Sequence, residues 1–231
     1  MRTSRFVAAV VACTLTGAAQ AQFFNIDVGL ATQPSPSSAF GAASGQTGHW
    51  NFFAGNTPVG VPVALTDITG AATGVTLSRI TNAGSPSALW FNNTTNSGDF
   101  AALMNDGSQV GTIVQGGWHE YTFSGLANGT YQLWTYAARP QGGTSYAEVD
   151  VFGSTSPVQI LNGGNNNNTF TFGGTHAIHR VIVTDGTFTL RVTAGQNIGL
   201  STYVNGFQLV PTPGAAAMLA CVALVGARRR R

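Results

Sequence analysis

Bulky and polar residues alternate through residues 118 to 138, Trp-His-Glu-Tyr-Thr-Phe-Ser-Gly-Leu-Ala-Asn-Gly-Thr-Tyr-Gln-Leu-Trp-Thr-Tyr-Ala-Ala, broken only around Gly125-Leu126-Ala127-Asn128-Gly129. A period of two marks a strand with one buried face, and Asn128 and Gly129 tolerate the positive backbone angles of a tight reversal. The stretch therefore predicts a β-hairpin. Shorter alternating runs predict strands before it at Phe23–Val28, His49–Phe53, Val61–Leu65, Val75–Ile80, Ala88–Phe91 and Gln109–Val114. After it come Tyr146–Phe152, Val158–Leu161, Thr169–Phe172, Ala177–Thr184, Thr187–Val192 and Tyr203–Val210. Asp185-Gly186, between two such runs, predicts a second hairpin. Phe100, Leu103 and Met104 sit at helical spacing and predict one turn of helix over Asp99–Asn105. Ala31–Gly48 and Asn162–Asn168, rich in Ser, Pro, Gly, Gln and Asn, predict loops. Many short strands without a long helix make the fold all-β, an antiparallel sandwich or barrel.

Alternation also assigns faces. Tyr121, Phe123, Tyr131, Leu133, Thr135 and Ala137 are expected in the core, which turns Gln132, Trp134 and Tyr136 outward. In the following run Ala147, Val149 and Val151 form the apolar side, so Tyr146, Glu148 and Asp150 point out. If the two strands pair, one outer face gathers Trp134, Tyr136 and Tyr146 beside Gln132, Glu148 and Asp150. Aromatic faces stack on sugar C–H groups and carboxylates and amides accept hydroxyls, so such a face suits a glycan. The competing expectation is that the long loops of the first third fold over these aromatics and make them a second small core. Glu148 and Asp150 raise a glycoside hydrolase too, but two acids at i and i+2 of a strand point the same way, whereas hydrolysis needs carboxyls flanking one bond. His176-Ala-Ile-His179 is a weak metal motif, because residues three apart on a strand face oppositely. The reading therefore assigns no catalytic residue, no cofactor and no metal ligand.

Composition bounds this picture. In 231 residues only 8% are charged and 43% hydrophobic, which places the chain among packed domains rather than disordered ones. There is no Lys, and Arg2, Arg5 and Arg228 to Arg231 lie in the terminal segments. Between them Arg79, Arg139, Arg180 and Arg191 face eight acids, so the domain is acidic and nucleic acid is not an expected partner. Cys13 and Cys221 also fall in the terminal segments, which leaves the domain without a disulfide or a thiolate metal site.

Met1–Ala21 carries Arg2 and Arg5, an apolar run from Phe6 to Cys13 and a final Ala19-Gln20-Ala21, the order of a secretory signal peptide. Val10-Val11-Ala12-Cys13 also loosely fits a lipoprotein box behind a very short apolar run. At the other end Pro211-Thr212-Pro213 precedes the apolar stretch Ala215–Ala227 and Arg228-Arg229-Arg230-Arg231. This order of parts resembles the PEP-CTERM sorting signal, with Thr212 standing where the family's usual Pro-Glu-Pro has Glu. The resemblance implies an exosortase-type processing enzyme as partner, an apolar tail helix held transiently in the inner membrane, and display at the cell surface or in the extracellular matrix. A plain C-terminal anchor with a positive inner end is the alternative.

Within residues 22 to 210, Tyr121–Ala137, Glu148-Val-Asp-Val-Phe-Gly and Val204-Asn-Gly-Phe-Gln-Leu-Val resemble the later strands of galactose-binding-like and malectin-like jelly rolls. That resemblance implies an antiparallel β-sandwich and a non-catalytic carbohydrate-binding module for extracellular polysaccharide. The alternative is a structural surface or matrix protein without a small ligand. The family often holds a structural calcium through an acid on the last strand, but Tyr203–Val210 has none and Asp27 stands alone near the start.

Overall fold

The computed structural model describes residues 22–82, 87–110, 116–141, 146–164, 167–195 and 202–212. The predicted signal peptide, Pro213, the apolar tail and Arg228 to Arg231 lie outside the described residues. Among the described residues no helix is long and apolar enough to cross a membrane.

Fourteen strands and one short helix follow in the order β1 (Phe24–Gly29), β2 (Trp50–Ala54), β3 (Val63–Thr66), β4 (Ala72–Thr81), β5 (Ala88–Trp90), α1 (Gly98–Met104), β6 (Asp106–Val110), β7 (Trp118–Ser124), β8 (Gly129–Tyr136), β9 (Ala147–Val151), β10 (Gln159–Leu161), β11 (His176–Val183), β12 (Thr187–Ala194), β13 (Thr202–Val204) and β14 (Gly206–Pro211). Two sheets face one another, one ordered β11-β8-β14-β1-β2 and the other β10-β9-β12-β7-β4-β3, with a small third sheet β13-β6-β5 at one side. All pairings between these strands are antiparallel except β1 with β2. The expected antiparallel sandwich is the fold. Predicted Thr169–Phe172 is a loop instead, carrying Phe170 onto the five-stranded sheet.

The faces follow the alternation. β7 buries His119, Tyr121 and Phe123, β9 buries Ala147, Val149 and Val151, and β12 buries Phe188, Leu190, Val192 and Ala194. Phe24, Ile26, Val28, Tyr131, Leu133, Phe207 and Leu209 close the core from the other sheet.

The two predicted hairpins are corrections. β7 pairs with β12 and β4, whereas β8 pairs with β11 and β14, so the chain at Gly125–Asn128 crosses from one sheet to the other. Asp185-Gly186 likewise carries β11 over to β12 in the opposite sheet. The reason lies in the core: Tyr121 and Phe123 of β7 meet Phe207 of the other sheet across the sandwich, with ring centroids 4.9 and 6.2 Å apart, while Tyr131 and Leu133 enter the same core from that other sheet. The two crossings support each other, since Leu126 N–H donates to Gly186 O at 2.9 Å and Gly186 N–H donates to Asn128 Oδ1 at 3.1 Å. Tyr131 Oη closes the arch on Ala127 O at 2.7 Å.

Gly125 holds φ at +83°, and a Cβ there would come within 2.4 Å of Gly74 O. Gly125→Ala is expected to cost about 2 kcal/mol or more in urea unfolding, since strain and clash coincide. A loss below half of that would show that the arch can shift at little cost.

Burial also sets the acid limit. His119 is pushed down to about 3 by burial and then by the Arg79 charge, and burial lowers His176 and His179 too. The unfolded chain then binds protons that the folded rings refuse, so these groups remove stability as pH falls below the ordinary 6.5. His119→Gln is expected to flatten the fall of Tm on acidification; an unchanged slope would contradict it.

Candidate functional site

The six residues expected on one face are divided between two. Because β8 lies in the five-stranded sheet and β9 in the six-stranded one, their outer faces look away from each other. Gln132, Trp134 and Tyr136 lie on one side of the sandwich, Glu148 and Asp150 on the other, and a single platform built from all six is not formed. Gln132 is exposed. Trp134 is half-buried and packs against a second cluster of Trp50, Phe100, Leu103, Met104, Tyr136 and Ala138, which Phe40 and Phe170 also cover. Tyr136 is fully buried there. Loops of the first third do fold over these aromatics, as the competing expectation had it. Tyr146 precedes β9, and its ring lies so close over Gly195 that a Cβ there would come within 1.6 Å of its Cδ1.

Glu148 and Asp150 are half-exposed and face the same way from β9, opposite Thr193 and Arg191 of β12. They do not flank a cleft. Arg191 itself lies over the Trp118 ring at 4.7 Å and the Phe152 ring at 5.2 Å and pairs with Glu120. Arg79 is buried without a carboxylate, its guanidinium donating to Gly55 O, Thr57 O and Ser108 Oγ at 2.6 to 2.9 Å. His176 packs against Tyr136, Phe170 and Phe172 outside the sheet, while His179 turns into the core, so the His-x-x-His pair converges on nothing. Of the sorting motif, Pro211 ends β14 and Thr212 bonds to Thr130 O through N–H at 2.8 Å and Oγ1 at 3.0 Å.

The carboxamide of Gln208, on the last strand, fixes the cover. Its Nε2 donates to Asn25 Oδ1, Gly41 O and Gln46 O at 2.9, 3.2 and 3.0 Å, and its Oε1 accepts from Tyr136 Oη at 2.5 Å. A neutral NH2 thus sits among three oxygens on the strand where the resemblance would call for an acid. The last strand does not fit a cation there.

A cleft of about 250 Å³ lies at the far end of β1. Trp90, 41% exposed, walls it with Gln33, Asn92, Asn93, Asn96 and Asp106. Its amide loop is rigid: Asn93 Oδ1 accepts from Thr95 N–H and Oγ1 at 3.2 and 2.7 Å, and Asn96 Nδ2 donates to Asn105 Oδ1 at 2.8 Å. Asn168, at the end of the predicted loop, clamps the start of α1 by accepting from Ser97 N–H at 2.8 Å and donating to Ser97 Oγ at 3.0 Å. Trp90 carries no motif, and its exposure follows from a three-residue strand at the margin of the third sheet. A single aromatic among Asn residues was the available signal.

Beneath the cleft Asp106 meets Asp27, which pairing of distant strands alone brings together. Burial raises Asp106 to about 7, and Asp27 is held well above the carboxylate range by burial and by Asp106.

No family model matches the chain, and no curated protein matches it. Among solved structures it is similar to TmCBM61 in complex with β-1,4-galactotriose, at 11% identity over 59% of this chain and 88% of that one, with a TM-score of 0.38. It is also similar to a family 35 carbohydrate-binding module from Clostridium thermocellum, at 17% identity over 58% and 99% of the two chains, TM-score 0.36. A CBM35 from Cellvibrio japonicus Abf62 gives 13% identity over 59% and 94%, TM-score 0.33.

Tyr136→Phe is expected to cost about 1–3 kcal/mol in chemical unfolding, because Ala43 N–H loses its acceptor at 2.9 Å and Gln208 loses a donor. Gln132→Ala should change stability by less than about 0.5 kcal/mol. Equal effects would contradict the burial of Tyr136.

Proposed function

We propose that the domain is a non-catalytic carbohydrate-binding module of an exported protein, and that the Trp90 cleft makes the glycan contact. The observation that carries this reading is an exposed indole standing beside fixed amides in a concave site, an arrangement that stacks a sugar ring and bonds its hydroxyls. Gln33, Asn92 and Asn93 would supply the polar partners. Trp134 and Tyr136 then serve the fold, and Glu148 and Asp150 belong to a separate outer face. Glu148 and Asp150 point the same way from one strand, and Asp27 and Asp106 are buried together beneath the cleft, so neither pair is arranged to flank a bond and hydrolysis is not part of the reading.

Geometry favours display. Phe24 pairs with Leu209 and Thr212 bonds to Thr130, so residues 22 and 212 leave the sandwich at one end, beside the Ala127 arch. The cleft lies past Gly29 at the other end, about 20 Å along β1. A signal peptide cleaved after Ala21 and a PEP-CTERM-like tail acting through an exosortase-type enzyme would thus hold the domain by one end and present the cleft outward, at the cell surface or in the matrix.

The test is affinity electrophoresis of the exported protein through gels carrying neutral and acidic polysaccharides. Trp90→Ala should lose at least about tenfold in affinity on whichever polysaccharide retards the wild type, with Tm unchanged. Undiminished retention in that variant moves the site elsewhere. No retention across the panel favours the structural surface protein.

A further inference from the structure

Asp27 and Asp106 are 1% and 2% exposed, yet Oδ1 of each has no hydrogen-bond partner. Asp106 cannot retreat: its Oδ2 accepts from Leu30 N–H at 2.7 Å and lies where a Cβ on Gly29 would be only 2.1 Å away. Its backbone oxygen is held by Asn205 Nδ2 at 2.6 Å. Asp27 has one side-chain donor, Ser35. The buried cation Arg79 reaches Ser108 Oγ two residues along β6 and is otherwise bonded to Gly55 O and Thr57 O instead of to either acid, and the acid of α1, Asp99, is occupied by Ser37 N–H and Oγ at 2.7 Å. The ion pair present among the described residues, Arg191 with Glu120, is in the other sheet. Two buried carboxyls without a cation hold a single negative charge between them far more readily than two.

What the pair supports is the cleft wall. Asp106 stands directly opposite Trp90 in the β5–β6 ladder, and Phe91 N–H donates to Asn105 O at 2.9 Å beside it. Repulsion between two charged carboxylates therefore acts on β6, the strand to which the indole-bearing β5 is paired. We propose that Asp27 and Asp106 share one proton, and that its loss loosens the Trp90 wall so that glycan is held in neutral to mildly acidic surroundings and released in alkaline ones. This rests on the carbohydrate-binding reading of the cleft.

The sign follows from linkage. The folded carboxyls keep protons that the unfolded chain has released, so their stabilisation is complete below the ordinary 3.8 and is lost as pH rises through about 7 for Asp106. The buried histidines shift the other way and act below the ordinary 6.5.

The full chain and an Asp27→Asn/Asp106→Asn double variant would be compared in chelator and in millimolar calcium, by Tm and by polysaccharide retention, from about pH 5 to about pH 8. Asn is isosteric, and at position 106 its oxygen can still accept from Leu30. The wild-type Tm should fall relative to the variant as pH rises, and wild-type retention should drop about tenfold while the variant's stays constant. Parallel Tm curves would overturn the shared proton. Calcium restoring the wild type but not the variant at high pH would also overturn it, identifying the pair as a cation site. A diverging Tm with no retention at any pH would instead sink the carbohydrate reading and leave the shared proton standing.

Discussion

The structure depends on one carboxamide. Gln208 lies on β14 with β1 and β8 on either side, and its five polar contacts tie those strands to the loop at Gly41–Gln46. A buried amide is costly unless every donor and acceptor is met, and once met it admits few other arrangements of its neighbours. Here it selects the position in which Phe40, Ala42 and Ala43 settle on Trp50, Trp134 and Tyr136. Both faces of β14 and β1 are consequently buried, and the aromatic cluster outside the sheet exists because the amide network holds its lid.

This explains what the sequence makes legible. Alternation places Tyr121, Phe123, Tyr131, Leu133, Val149 and Val151 on the core side, because a period of two depends only on the strand itself. It cannot identify the pairing partner. Gly125 and Gly186 permit a sharp turn equally in a hairpin and in a crossing between sheets, and the choice is made by core residues meeting across the sandwich. The same limit misplaces the predicted platform: Trp134 and Tyr136 do leave the main core, but the loop that covers them bonds to Tyr136 from Ala43, 93 residues away, and β9 belongs to the opposite sheet. The cleft was less legible still. Asp27 looks solitary in sequence, and only the adjacency of β1 and the β6 start brings Asp106 to it.

The two ends of the sandwich have different chemistry. At one, residues 22 and 212 and the paired arches give a base bonded through main chain and through the side chains of Gln22, Asn128, Tyr131 and Thr212. At the other, short strands, α1 and an Asn-rich loop hold an exposed indole over two buried acids. Charge reinforces this division, since Arg180 and Arg191 lie on the sheets while, among the described residues, no basic side chain lines the cleft. The proposed ligand, a polysaccharide uncharged or weakly acidic and rich in hydroxyls, matches a site lined mainly by amides, and a nucleic acid does not.

The most direct measurement is the indole N–H region of an amide-proton NMR spectrum during addition of an oligosaccharide from the retained polysaccharide. The four tryptophans, Trp50, Trp90, Trp118 and Trp134, give four assignable signals. The account predicts that the Trp90 signal shifts with ligand while those of Trp50 and Trp134 stay fixed beneath the lid. A shift of Trp134 without Trp90 would contradict it, returning the glycan to the covered face.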